Sequence, residues 1–77
     1  MIKLEEYGFT QTIETDRYTE YEGHGYTVII YNYPIMTFDR CEIAHNTFLV
    51  SSQQFTSASR PAHQIGDWLM EKKISKI

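Results

Sequence analysis

A thiol and an imidazole stand four residues apart at Cys41 and His45, and further histidines occur at His24 and His63. A thiolate beside a histidine can act as a nucleophile. Cysteine and histidine can also bind zinc when three or four such ligands converge, usually from paired spacings. This sequence has one cysteine and no such pairs. We therefore expect Cys41 to pack within a strand and the histidines to lie in turns or on a helix surface, with no metal and no cofactor.

Hydroxyl nucleophiles and paired carboxylates are the other candidates for catalysis. Serine catalysis usually needs a sharp strand–turn–helix elbow and a glycine-rich oxyanion loop, and the sequence contains neither. Glu20 and Glu22 fall on one side of a predicted strand, but strand carboxylates commonly protect a sheet against aggregation. The sequence therefore favours a protein that is not an enzyme. A small enzyme that uses Cys41 or His45 is the alternative.

Tyrosine is the residue type that stands out in the composition, with six copies in 77 residues. Its side chain offers rigid, amphipathic contact area at a low entropic cost, which is why protein interfaces are rich in it. Cross-strand pairing and core filling explain part of the set. The predicted protein-contact residues are Tyr18, Tyr21, Tyr31 and Tyr33, with Glu20 and Glu22 as rim charges that set the orientation of a partner.

Aromatic residues on an open sheet can also stack nucleic-acid bases. Such binding needs clustered Lys and Arg, because the phosphate backbone dominates affinity. The Arg17–Tyr33 segment has one basic residue, and residues 1–22 hold six acidic residues against two basic ones. Single-stranded nucleic-acid binding is therefore a disfavoured alternative.

Length and composition indicate one small domain spanning residues 1–77. A lone cysteine excludes an intrachain disulfide and points to a reducing compartment, which predicts a cytoplasmic protein. The opening residues are too acidic for a signal peptide. The longest apolar stretch, around Tyr26 to Tyr33, is far shorter than the roughly 20 residues that span a bilayer. We therefore expect no membrane association.

Residues between Thr10 and Ser52 have a β-type composition, with turn residues every eight to twelve positions. Gly23-His24-Gly25 is the clearest hairpin signal, because glycine permits the positive φ of a tight turn. Short connections favour an antiparallel meander of four to five strands. The predicted strands are Gln11–Glu14, Arg17–Glu22, Tyr26–Tyr33, Thr37–Ile43 and Thr47–Ser52.

A short helix is expected at the start of the chain, over about Ile2 to Tyr7. Gly8 suits the left-handed position that ends a helix. Phe9 would then pack back on Leu4, as in a Schellman ending.

The last element is predicted to be an amphipathic helix that begins near Ser59 or Arg60, with Pro61 in its first turn. Met70 and Ile74 point away from its apolar stripe on a helical wheel. The stripe, which should pack on one face of the sheet, consists of Ala62, Ile65, Trp68, Leu69 and the stem of Lys72. The sequence thus predicts the α+β class.

Both faces of the central strand are apolar. Tyr26, Val28 and Ile30 share one face, and the other face holds Thr27, Ile29, Tyr31 and Tyr33. One helix covers one face, so the second face needs another cover or a partner. The hypothesis that follows is a non-enzymatic protein-binding or regulatory module, which could also act by homodimerisation. The hairpin register is left open, since a slip of one residue exchanges the partners of each face.

The opening Leu4–Phe9 segment, the Asp16–Tyr21 segment, the isoleucine-rich strand and the closing Trp-containing helix resemble small accessory proteins of Gram-positive phages and prophages. The likeness extends over most of the chain as a pattern and includes no diagnostic motif. It implies a cytoplasmic, non-catalytic protein that binds a host or phage component. It transfers no functional residue.

Overall fold

Antiparallel strands are the main secondary structure in the described part of the chain. The computed structural model describes residues 2–36, 43–44, 46–53 and 58–77. The predicted α+β class is confirmed. The elements in chain order are a 3-10 turn (Leu4–Tyr7), β1 (Thr10–Glu14), β2 (Tyr18–Gly23), β3 (Tyr26–Tyr31), β4 (Ile35–Met36), β5 (Ile43–Ala44), β6 (Thr47–Ser52), β7 (Ala58–Pro61), a second 3-10 turn (Ala62–Gln64) and α1 (Ile65–Glu71).

Five strands form one antiparallel sheet in the order β1-β2-β3-β6-β7, and β4 pairs with β5 in a separate two-stranded ladder. The chain leaves the main sheet after β3 and returns with β6 against β3. The predicted antiparallel meander is therefore confirmed, with one excursion. The strand predicted over Thr37–Ile43 falls outside the described residues, except for Ile43 in β5.

The β2–β3 hairpin turns on two residues. Gly23 pairs with Tyr26, so His24 and Gly25 form the loop, with φ of 53° and 80°. Positive φ at both central positions is the geometry of a type I′ turn, whose twist matches that of the flanking strands. The predicted hairpin is confirmed. Gly23 was expected to adopt a positive φ, but it does not. Glycine is needed there because a Cβ would collide with Gly8 and Phe9.

Thr15 organises the turn between β1 and β2. The backbone N–H groups of Arg17 and Tyr18 each donate to Thr15 Oγ1 at 3.1 Å. The Thr15 N–H in turn donates to the Tyr18 carbonyl at 2.8 Å. A threonine hydroxyl that accepts local backbone donors stabilises a tight reversal. This turn therefore sets the pairing of β1 with β2.

One side of the sheet is covered by the helix and both chain ends. Trp68 on α1 is the central group, with ring centroids 5.2 Å from Tyr26 and 6.3 Å from Phe9 and from Phe48. Arg60 on β7 ties the sheet to the helix through an ion pair with Glu71 at 3.0 Å. The buried core consists of Leu4, Phe9, Val28, Phe48, Val50, Ile65, Trp68, Leu69 and Ile74.

The opening element is a single 3-10 turn and is shorter than the helix predicted over Ile2–Tyr7. Its ending is as predicted: Gly8 is left-handed with φ 85°, and the Phe9 N–H donates to the Leu4 carbonyl at 3.2 Å. Leu4 and Phe9 are both buried in the core. The Schellman geometry therefore brings two core residues inward from a turn too short to be stable alone.

The predicted start of the closing helix is wrong. Residues Ala58–Pro61 form β7, and α1 begins only at Ile65. Pro61 ends an edge strand, where the missing N–H breaks no ladder. The apolar stripe is nevertheless confirmed for Ile65, Trp68 and Leu69, which are buried, and Met70 is 78% exposed as predicted. The other two predicted members differ, because Ala62 lies in the 3-10 turn before the helix and Lys72 is exposed. No helix in the described part of the chain is long and apolar enough to span a membrane.

Helix α1 ends in a second Schellman motif. The Ile74 N–H donates to the Leu69 carbonyl at 2.9 Å, and the Lys73 N–H donates to the Met70 carbonyl at 3.0 Å. Lys73 is left-handed with φ 58°. The reversal carries Ile74 back into the core, so the prediction that Ile74 points away is wrong. A helical wheel fails there because the helix has already ended.

Replacing Lys73 with glycine is expected to raise the free energy of unfolding by about 0.5–1 kcal/mol. The left-handed conformation costs a non-glycine residue about 1–2 kcal/mol, and the greater freedom of glycine in the unfolded chain offsets about 0.4–1 kcal/mol of that gain. Urea denaturation followed by circular dichroism measures the change. Lys73→Ala is the control, because it removes the charge and keeps the strain; equal stabilisation by both variants would contradict the strain argument.

Candidate protein-contact surface

Strand register assigns each side chain to one face of the sheet. Tyr21 pairs with Val28, and Val28 pairs with Val50. Both valines are buried beneath the helix, so this row defines the core face. Alternation places the neighbouring positions on the opposite side. We call that side the outer face.

Three rows of residues cross the outer face. The middle row runs from Ile13 through Glu20 and Ile29 to Leu49. The second row pairs Tyr18 with Tyr31, and the third joins Glu22, Thr27 and Ser51. The outer face therefore has an aromatic end, an apolar middle and a polar end.

Exposure differs along the outer face. Ile13 is 42% exposed, while Ile29, Tyr31 and Leu49 are half-buried. Thr47 lies one position beyond the Ile30–Phe48 pair, beside Tyr31, and is fully buried, so the aromatic end of the outer face is covered at β6 and open at β2. Part of the outer face is therefore exposed to solvent, and that part includes apolar side chains.

Tyr18, Tyr31 and Tyr33 form a tyrosine cluster at the aromatic end. Ring centroids lie 6.0 Å apart for Tyr18 and Tyr31, and 5.9 Å apart for Tyr31 and Tyr33. The guanidinium of Arg17 lies over the Tyr33 ring at 5.7 Å. Tilted rings at these distances attract one another beyond simple area burial, and a cation over a ring adds to that. The cluster is a preformed aromatic platform.

No protein-family model, curated protein or solved structure matches this chain.

Tyr31 in the tyrosine cluster has a raised pKa. Burial raises the pKa of Tyr31 above its usual 10, and the neighbouring Tyr33, Tyr18 and Glu20 raise it further. Tyr31 therefore retains its phenolic proton at neutral pH and can donate a hydrogen bond from the platform.

Tyr21 lies apart from the other three predicted contact tyrosines. It belongs to the core face, where it packs against the buried cluster. Burial raises the pKa of its phenol, with Glu5 and Glu14 contributing. The structure thus brings Tyr18, Tyr31 and Tyr33 together and separates Tyr21 from them. The alternation of side chains along a strand predicts this separation, because Tyr18 and Tyr21 are three positions apart and so point to opposite faces.

The two predicted rim carboxylates occupy different settings on the outer face. Glu20 lies directly between Ile13 and Ile29 in the middle row and is half-buried. Glu22 is exposed and lies opposite Thr27. Glu22 is therefore at the polar end, whereas Glu20 is inside the apolar middle.

The sheet edges are poorly suited to strand addition. Strand β1 is exposed at all five positions and has a bulge between Gln11 and Ile13. The opposite edge ends in Pro61, and its Arg60 is engaged with Gln64 and Glu71. Bulges and proline at edges disfavour pairing with another chain. The outer face is therefore better suited to contact a partner than either edge of the sheet.

Other chemistry-bearing residues do not assemble a site in the described part of the chain. His24 donates from Nε2 to the Tyr7 carbonyl at 2.7 Å, and His63 is exposed. Cys41 and His45 lie outside the described residues. Among those described, no three His, Cys, Asp or Glu side chains are grouped as metal ligands would be.

A shallow depression of about 420 Å³ lies beside the β2–β3 turn. The carboxylate of Glu22 and the hydroxyls of Thr27 and Ser51 contribute to its wall. It continues the polar end of the outer face and lies at the opposite end of the strands from the tyrosine cluster.

Proposed function

We propose that this chain is a small non-enzymatic protein-binding or regulatory module that contacts its partner through the outer face. The observation that supports this is the tyrosine cluster: the Tyr31 ring packs against Tyr18 and Tyr33, and the Tyr18–Tyr31 pair lies on the side of the sheet opposite the helix. Aromatic anchors of this kind supply much of the binding energy of protein interfaces.

The size of the outer face favours a reversible contact. Five strands about 4.8 Å apart, with about six residues at 3.4 Å each, give a face of about 24 by 20 Å. A partner that covered it would bury about 1,000 Å² in total, which is the range of weak and transient complexes. A regulatory role is consistent with that size. The resemblance to phage accessory proteins makes a host or phage protein the proposed partner.

The test removes the platform and leaves the core untouched. We expect the double variant Tyr18→Ser/Tyr31→Ser to lose at least tenfold in affinity for a protein captured from the native cell, because aromatic anchors typically contribute more than 1 kcal/mol each. Titration calorimetry with the purified partner gives the affinity. Met70→Ser is the matched control, since Met70 is an exposed apolar residue on the helix.

Two outcomes would overturn the proposal. One is a captured protein that binds the double variant as tightly as the unmodified chain. The other is a purified chain that binds single-stranded oligothymidylate at low salt with a steep salt dependence, which is the signature of phosphate contacts. We expect no such binding, because Glu20 and Glu22 are the charged side chains in the rows that cross the outer face. A dimer at tens of micromolar in light scattering would make the partner a second copy.

A further inference from the structure

Glu20 gives the outer face a chemical requirement that its partner must meet. Its Cα lies opposite Ile29 on one side and Ile13 on the other, so the carboxylate stands in the apolar middle row. It lies close enough to Tyr31 to contribute to the raised pKa of that phenol. Within the part of the chain that the structure describes, no ion pair or side-chain hydrogen bond engages this carboxylate.

A partner that covers the outer face must remove water from the Glu20 carboxylate. A buried carboxylate without a cation or hydrogen-bond donors is strongly unfavourable. A purely apolar partner surface would therefore be rejected, even though it matched Ile13, Ile29 and Leu49 in character. A positive charge on the partner meets this need best, because charge-assisted hydrogen bonds are about twice as strong as neutral ones.

The described residues of a second copy meet that requirement poorly. In the described part of the chain, the cation next to the outer face is Arg17, which lies over Tyr33 at the aromatic end. Two other described basic residues are engaged away from the outer face: Arg60 pairs with Glu71, and Lys76 pairs with Glu6. Stacking two copies over their middle rows would set Glu20 against apolar groups or another Glu20.

We infer that the partner surface presents a Lys or Arg, flanked by apolar residues, to Glu20. Arginine suits the position best, because its planar fork pairs with a carboxylate and also stacks on aromatic rings such as Tyr31. This inference rests on the proposed function and names the partner chemistry of the same surface. A charge inside an apolar sheet face also discourages self-stacking, and the experiment separates that role from recognition.

The experiment selects peptides from a random library on the immobilised full chain and measures the affinity of synthetic copies by fluorescence anisotropy. We expect the selected peptides to share a basic residue next to apolar ones. We also expect Glu20→Gln to weaken their binding at least tenfold. Asp67→Asn, at an exposed carboxylate on α1 away from the outer face, is the control and should change affinity less than twofold. Replacing the basic residue of the peptide with Gln should add little to the loss from Glu20→Gln, as a double-mutant cycle requires for a direct pair.

The outcomes distinguish this inference from the proposed function. Peptides that need Tyr31 but bind Glu20→Gln with unchanged affinity, or that lack a basic residue, overturn the inference and leave the proposed function standing. Self-association of Glu20→Gln without loss of peptide affinity assigns Glu20 to protection against stacking and also overturns the inference. If the selected peptides bind Tyr31→Ser with unchanged affinity, or if no peptide is selected at all, the inference and the proposed function are both overturned.

Discussion

Alanine in place of Trp68 is expected to lower the free energy of unfolding by about 3–5 kcal/mol, the usual range for large aromatic residues in cores. Trp68 is 4% exposed. The centroid of its ring lies within 6.3 Å of the ring centroids of Phe9, Tyr26 and Phe48. It therefore joins the helix, the chain start and two strands. A domain of this size is typically stable by about 4–12 kcal/mol, so the loss is a large fraction of the total.

Urea denaturation, followed by near- and far-ultraviolet circular dichroism, measures this effect. Met70→Ala provides the comparison on the same helix, because Met70 is exposed and its truncation should change stability by less than about 0.5 kcal/mol. Similar losses for the two variants would contradict the assignment of Trp68 as the centre of the core.

Gly23→Ala is expected to cost about 2–3 kcal/mol, through crowding and not through backbone strain. A Cβ at Gly23 would lie 2.8 Å from the Gly8 carbonyl oxygen and 2.8 Å from Cδ2 of Phe9. The carbonyl belongs to the Schellman turn and the ring is buried, so neither can move freely. The chain start would be pushed off the β2–β3 hairpin.

Gly25→Ala separates crowding from strain. A Cβ at Gly25 meets nothing within 4 Å, but the residue has φ of 80°, a conformation that costs a non-glycine residue about 1–2 kcal/mol. Thermal unfolding of both variants should therefore rank Gly23→Ala as the more destabilised. The reverse order would show that the contact with Gly8 and Phe9 relaxes at little cost.

Local signals in the sequence predicted the parts of the fold that local chemistry decides. The Gly23–Gly25 glycines located the β2–β3 hairpin, and the β6 bounds Thr47–Ser52 are as predicted. Gly8 located the first Schellman ending. In each case the signal comes from backbone conformations that few residue types tolerate, so it is readable without knowledge of the tertiary fold.

Features that depend on distant contacts were missed or misplaced. Strand β7 has the sequence Ala58-Ser59-Arg60-Pro61, which lacks β-branched and aromatic residues and forms by pairing with β6. Ile74 reaches the core because Lys73 takes a left-handed conformation without being glycine. For the candidate site, residue types indicated the tyrosines, but pairing of β2 with β3 decided which ones meet.

The route of the chain between β3 and β6 sets where insertions and deletions can be absorbed. The reversals over residues 15–17 and His24–Gly25 have three and two residues, so adding one would shift register and turn apolar side chains outward. Fifteen residues, 32–46, connect the neighbouring strands β3 and β6. Doubling a loop of that kind costs only about 0.6 kcal/mol in closure entropy. Natural length variation in such chains should therefore concentrate in this one connection, where it leaves the sheet intact.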